Sequence, residues 1–99
     1  MLKILKVTGN SLSPFFLPGD YVLVLRSPRR FKNLSPGDFV VFIHTEYGRL
    51  IKQVIHNYPA QAFIETEGIH PDSISTHKIG SVQYENIIGK VHRRVRRTN

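Results

Sequence analysis

The chain has no cysteine. A disulfide framework, a cysteine-ligated zinc site and a thiol nucleophile are therefore all excluded. Tryptophan is absent too, and methionine occurs once. Acidic residues are scarce, with seven Asp and Glu against fourteen Lys and Arg and a formal net charge of +7. No apolar run approaches the roughly 20 residues that a bilayer-crossing helix needs. The amino-terminal MLKILKVTGN is too short and too polar for a secretory leader, which makes the cytoplasm the expected compartment. The five histidines, at 44, 56, 70, 77 and 92, lack close ligand spacing, so neither a metal nor another cofactor is expected.

What is present suits one small domain over residues 1–99. Ninety-nine residues, 40% of them apolar, allow one modest core and argue against disorder. The positive balance admits nucleic acid, an anionic membrane surface or an acidic protein as partner. It is concentrated rather than spread. KVHRRVRR at 90–97 holds five of the fourteen Lys and Arg, running into a basic tail at about 92–99, and Arg26, Arg29, Arg30 and Lys32 form a second group.

The periodicity is that of strands. YVLVLR (21–26), DFVVFIHT (38–45), RLIKQVIHN (49–57), AFIET (62–66) and NIIGKVHRRV (86–95) are rich in β-branched and aromatic residues and are separated by Gly, Pro, Asn and Asp. No segment carries three turns of a one-sided apolar stripe. The expected fold is all-β. HTEYGRL (44–50) predicts a hairpin with EYG as the connection, and EGIHPDSISTHKIG (67–80) predicts a long loop. LPGDYVLV (17–24) and SPGDFVVF (35–42) echo each other: in both, Pro fits the second position of a turn, and Gly the third, where type II geometry needs positive φ. Each is a tight turn feeding a strand.

Two residues stand out chemically. Strand alternation puts Leu50, Lys52 and Val54 on one face and Ile51, Gln53 and Ile55 on the other, and both faces are partly apolar. Lys52 has apolar neighbours on either assignment. Desolvation lowers a lysine's pKa, and a neutral lysine within reach of a hydroxyl is a base that can make it a nucleophile. The structural alternative is a lysine that snorkels to the strand edge and stays charged. Ser11 follows Gly9 and Asn10, so a tight turn there can expose its hydroxyl and aim its backbone N–H at a developing oxyanion. The alternative is an ordinary turn serine.

In order, GNSLSPFFLPGDYVLV, SPGDFVVF, RLIKQVI and IGSVQYENIIGKV resemble the type I signal peptidase and LexA-like family of serine–lysine proteases. The family's Gly-x-Ser-Met-x-Pro, followed by Gly-Asp-x-Val, is met by Gly9, Ser11, Leu12, Pro14, Gly19, Asp20 and Val22. Its second Gly-Asp strand is met by Gly37, Asp38, Val40 and Phe42, its lysine strand by Ile51, Lys52, Gln53 and Val54, and its closing strand by Gly80, Val82, Ile88, Gly89, Lys90 and Val91. The resemblance covers most of the chain. It implies a small, partly open antiparallel β-barrel and a serine endopeptidase, with Ser11 as nucleophile, Lys52 as general base and the Ser11 N–H as one oxyanion donor. Leu12, Phe15 and Phe16 would line the substrate pocket. The chain is similar to the shortest soluble members, which include the maturation proteases of nickel-type superoxide dismutase. The substrate would then be a precursor protein losing its leader peptide.

The chain departs from the family at three places. Leu12 replaces the usual Met, and Gly9 stands where some members carry a serine as second oxyanion donor. Ser75-Thr76-His77 stands where many have Asp-Ser-Arg, which leaves Thr76 to orient Lys52. Other classes compete. A Ser-His-Asp triad has the inventory, but Asp20 and Asp38 are explained as turn residues. A small basic barrel binding nucleic acid would use the cationic tail and stack bases on Phe15, Phe16 and Tyr47. A non-catalytic relative could bind an extended peptide by strand addition. The pairing of Ser11 with Lys52 favours the enzyme. Peripheral membrane contact through the apolar loop at 15–17 is a further expectation.

Overall fold

The computed structural model describes residues 2–6, 19–67 and 79–95. Seven strands appear among them: β1 (Leu2–Lys6), β2 (Tyr21–Leu25), β3 (Phe39–His44), β4 (Gly48–Tyr58), β5 (Phe63–Glu67), β6 (Ser81–Gln83) and β7 (Ile87–Val95). Short 3-10 turns at Pro28–Asn33 and Tyr84–Asn86 are the other named elements. All pairings are antiparallel, and the strands form one sheet in the order β1-β2-β7-β3-β4-β5-β6. The sheet does not close: β1 and β6 are its two edges. The expected mostly β, partly open architecture is what the chain adopts.

The strands form where Val, Ile, Phe and Tyr alternate and stop where Gly and Pro intervene. The Ser35–Asp38 turn carries its i to i+3 bond from the Asp38 N–H to the Ser35 carbonyl at 3.0 Å. Gly37 has φ +99°, and its counterpart Gly19 has φ +92°, the left-handed value expected at the third turn position. The β3–β4 connection has the predicted length but sits one residue earlier. His44 pairs with Gly48, so Thr45–Tyr47 make the connection and Gly48, at φ +73°, already belongs to the strand. A left-handed glycine closing a three-residue loop is a favoured hairpin geometry. The His44 Nδ1 accepts the Glu46 and Tyr47 N–H groups at 3.1 and 3.3 Å and fixes the bend.

The sheet has apolar side chains on both faces. One cluster joins Phe31, Leu34, Val40, Phe42, Val54, Ile64, Ile79, Val82 and Ile87. The other joins Val22, Val24 and Val41, with Leu5, Phe39, Ile51, Ile88 and Val91 packed against them. Each fully buried Val, Ile or Phe contributes about 1.5–3 kcal/mol, so the larger cluster dominates the core. The Pro28–Asn33 turn caps that larger cluster with Phe31. Asn57 on β4 holds it in place. The two N–H groups of its amide are shared among the carbonyls of Phe31, Lys32 and Leu34 at 3.0, 3.2 and 2.9 Å. The Tyr84 hydroxyl donates to the Asn57 Oδ1 at 2.5 Å from the far side.

Three register shifts shape the sheet, between Leu23 and Val24, between Val41 and Phe42, and between Val54 and His56. The last leaves Ile55 as an extra residue in β4. Strand β7 lies close against β2 because residue 89 is glycine: a Cβ there would stand 2.6 Å from the Leu25 carbonyl oxygen and 2.6 Å from Val24 Cγ1.

Candidate active site

Lys52 sits in β4, an interior strand flanked by β3 and β5. It pairs directly with Val40, and Val40 pairs on its other side with Lys90, which pairs with Leu25. Leu25, Lys90, Val40 and Lys52 thus form one row across four strands. The face left open by alternation is settled by this register. Lys52 shares its side with Val40, Phe42 and Val54 of the larger core cluster, while Ile51 belongs to the smaller cluster on the opposite side.

The side chain of Lys52 is 1% exposed. Burial pushes its pKa below the ordinary 10.5, and desolvation is the cause. Placing an ammonium in such surroundings costs several kcal/mol even after relaxation. That exceeds what one buried aliphatic side chain contributes, so burial weakens the hold of Lys52 on its proton. A neutral amine offers a lone pair, the property a general base requires.

The second Pro-Gly-Asp turn fixes the strand beside this lysine. The Gly37 N–H donates to the Val54 carbonyl at 2.8 Å, and the Val54 N–H donates to the Asp38 carbonyl at 2.7 Å. The Gln53 amide reaches the Gly37 carbonyl at 3.3 Å. The Asp38 carboxylate is occupied elsewhere. It accepts the Ser35 N–H at 2.9 Å and lies 3.5 Å from Lys90 Nζ. The role of Asp38 as a turn residue, rather than a triad member, agrees with these contacts.

Of the predicted site residues, Lys52 is described. Ser11, Leu12, Phe15, Phe16 and Thr76 lie outside the described residues, as does the stretch 68–78 of the predicted loop. The segment holding Ser11 is bracketed by Lys6 and Tyr21, which face each other in the β1–β2 pair. At its first end the predicted loop gives up Glu67, which closes β5; at its other end β6 begins at Ser81, and Ile79 before it is buried in the core.

Two features escaped the sequence reading. The first is Thr66, fully buried on the lysine-bearing side. The alternation in FIETE, with Ile64 and Thr66 on one face and the glutamates on the other, carried that signal. The second is a cavity of about 550 Å³ under the Pro28–Asn33 turn, floored by Leu25, Phe31 and Leu34 and rimmed by Arg30, Lys90 and His92. It needs the 3-10 turn, which no strand or helix period reveals.

Among the described residues no group of His, Asp or Glu is arranged to hold a metal, and no helix is long and apolar enough to cross a membrane. Comparison with known proteins gives one family, described as Peptidase S24-like, which matches residues 1–92. No curated protein and no solved structure matches the chain.

Proposed function

Because this chain belongs to the Peptidase S24-like family, we propose that it is a serine endopeptidase with Ser11 as nucleophile and Lys52 as general base. The family description makes peptide-bond hydrolysis the activity to explain. The observation that supports the dyad is the burial of Lys52: an amine sealed on the core side of an interior strand, with its pKa lowered by desolvation.

The chemistry runs in two halves. The lone pair of Lys52 Nζ takes the proton from Ser11 Oγ as the oxygen attacks the carbonyl carbon of the scissile peptide bond. The negative charge on the carbonyl oxygen is met by the Ser11 N–H. The resulting ammonium gives its proton to the departing amine, the C–N bond breaks, and an acyl-enzyme ester remains. Water then loses a proton to Lys52 and attacks the ester, and the proton returns to Ser11 Oγ as the acid product leaves. Leu12, Phe15 and Phe16 form an apolar wall for the substrate, and Thr76 assists Lys52.

The substrate is the leader of a precursor protein. The likeness to short soluble members makes the nickel-type superoxide dismutase precursor the first to test. The experiment incubates wild type, Ser11→Ala and Lys52→Ala with that precursor from pH 6 to 10 and reads the products by mass spectrometry. Wild type releases the leader. Each variant is expected to lose at least about a thousandfold in rate, since the nucleophile or its base is gone. Cleavage by Lys52→Ala at the wild-type rate would sink the dyad.

A further inference from the structure

Thr66 has no task in the chemistry above, yet its placement is costly. It is 0% exposed, and its Oγ1 has no hydrogen-bond partner among the described residues. Leaving a buried hydroxyl unpaired forfeits the hydrogen bonds it had with water. A Val would fill nearly the same volume without that penalty, so the hydroxyl calls for an explanation.

The register supplies one. Thr66 pairs with Val54 across β4 and β5, and Val54 lies two residues beyond Lys52 on the same side. Thr66 is therefore the diagonal neighbour of Lys52. Diagonal partners are about 7–8 Å apart, within reach of a long side chain. The buried polar or charged residues among those described are Asp20, Lys52 and Thr66. Asp20 leads into β2, whose Val22 and Val24 belong to the opposite cluster. Among the described residues, Lys52 and Thr66 are the buried polar side chains on the lysine side.

We propose that Thr66 is a positioning residue for Lys52: its Oγ1, unpaired in this structure, accepts one N–H of the Nζ amine once the lysine side chain rotates toward it, and so turns the lone pair toward Ser11. This rests on the serine–lysine reading. A neutral amine has two N–H groups and one lone pair, and it rotates freely unless an N–H is held. Holding one converts a rotor into an aimed base, a gain in orientation of the kind that governs attack geometry. The resemblance gives the same duty to Thr76. Thr66 differs in being carried on a paired strand, two residues along the ladder from the base.

The hydroxyl also biases protonation. An oxygen that accepts from Nζ favours the ammonium, against the desolvation that disfavours it. Among the described residues, the groups facing this row are mostly apolar. Val40 and Phe42 face Lys52 from β3, Ile64 accompanies Thr66 on β5, and beyond Val40 come Lys90 and its partner Asp38. Glu65 and Glu67 alternate to the other side of β5.

The test compares Thr66→Val, Thr66→Ser and Thr76→Val with wild type, and uses Lys52→Ala as control. The first readout is kcat and KM on the precursor across pH. The second is the NMR titration of the Lys52 side chain in a Ser11→Ala background, which needs no activity. Thr66→Val is expected to lower kcat by about ten- to a hundredfold with KM little changed. It also moves both the Lys52 titration and the acid limb of the rate profile to lower pH, because the ammonium loses an acceptor. Thr66→Ser keeps the oxygen and stays within a few-fold of wild type. If Thr66→Val does not fold, Thr66→Cys replaces the oxygen with a weak acceptor at similar size and is read in the same way. An unmoved Lys52 titration in the folded variant overturns the proposal, as does equal loss in Thr66→Val and Thr66→Ser, which would mean packing alone. Unchanged activity in Lys52→Ala is a different failure, that of the dyad itself, and leaves the titration result to stand separately.

Discussion

Lys52 and Lys90 occupy the same row of the sheet with Val40 between them. They are the same residue in opposite situations. The Lys90 side chain is 51% exposed and lies 3.5 Å from the Asp38 carboxylate. Lys52 is 1% exposed, and desolvation lowers its pKa. Two steps across the sheet separate an exposed, ion-paired lysine from a buried one. Position in the sheet, rather than residue type, sets how far a lysine is stripped of water. Lys90 belongs to β7 where the sheet meets a cavity; Lys52 is covered by the larger core cluster.

The largest effect that separates them is chemical. Lys52→Arg puts a permanently charged guanidinium where a proton acceptor is needed. Hydrolysis of the precursor is expected to fall at least about a thousandfold, measured as the rate of leader release. Substantial activity in this variant would mean that the charge state of residue 52 is immaterial.

The next effect is thermodynamic. Lys52→Met keeps the length of the side chain and removes the amine, so the folded state is expected to gain about 1–3 kcal/mol near neutral pH. The pH dependence has a definite sign. The folded-state pKa lies below the unfolded value, so the wild-type handicap is complete below the folded pKa and fades as pH rises toward 10.5. Chemical denaturation of both proteins at a series of pH values measures the gap. It should be widest at the acidic end of the series and close in alkali, and a gap that widened with pH would contradict the burial of a neutral amine.

The smallest effect belongs to Lys90. Lys90→Met removes an exposed ion pair, which is worth no more than about 1 kcal/mol and is screened by salt. Its denaturation midpoint should stay close to wild type, and any difference should shrink as salt is added. A loss as large as the Lys52→Met gain would erase the distinction between the two sites.

The sequence exposed much of this arrangement, and unevenly. β2, β3, β4, β5 and β7 were legible because alternating β-branched residues are bounded by strong turn signals. The Ser35–Asp38 turn and the left-handed Gly19 were legible because positive φ at the third turn position asks for glycine. β1 was missed because LKILK is a short edge strand with Leu2 and Ile4 at 57% and 65% exposure, so its pattern shows little burial. β6 has three residues, too few for a period to show. The side of Lys52 stayed open for a physical reason: each face of the sheet carries its own apolar cluster, so both faces of β4 read as core. Thr66 was passed over because a threonine in a strand looks ordinary until its hydroxyl is found without a partner.

The extra residue Ile55 has a consequence for how β4 tolerates change. Without it, Lys52 and Asn57 would have opposite parity and would point to opposite sides of the sheet. The shift restores agreement: Val54 pairs with Thr66 and Asn57 pairs with Ile64, and Thr66 and Ile64 lie on one side. A single strand can then carry Lys52 near its middle and the clamp on the Pro28–Asn33 turn near its end. β4 therefore has something like a reading frame. A conservative replacement of Ile55 leaves that frame intact, whereas deleting it detaches the clamp from the side on which Lys52 sits.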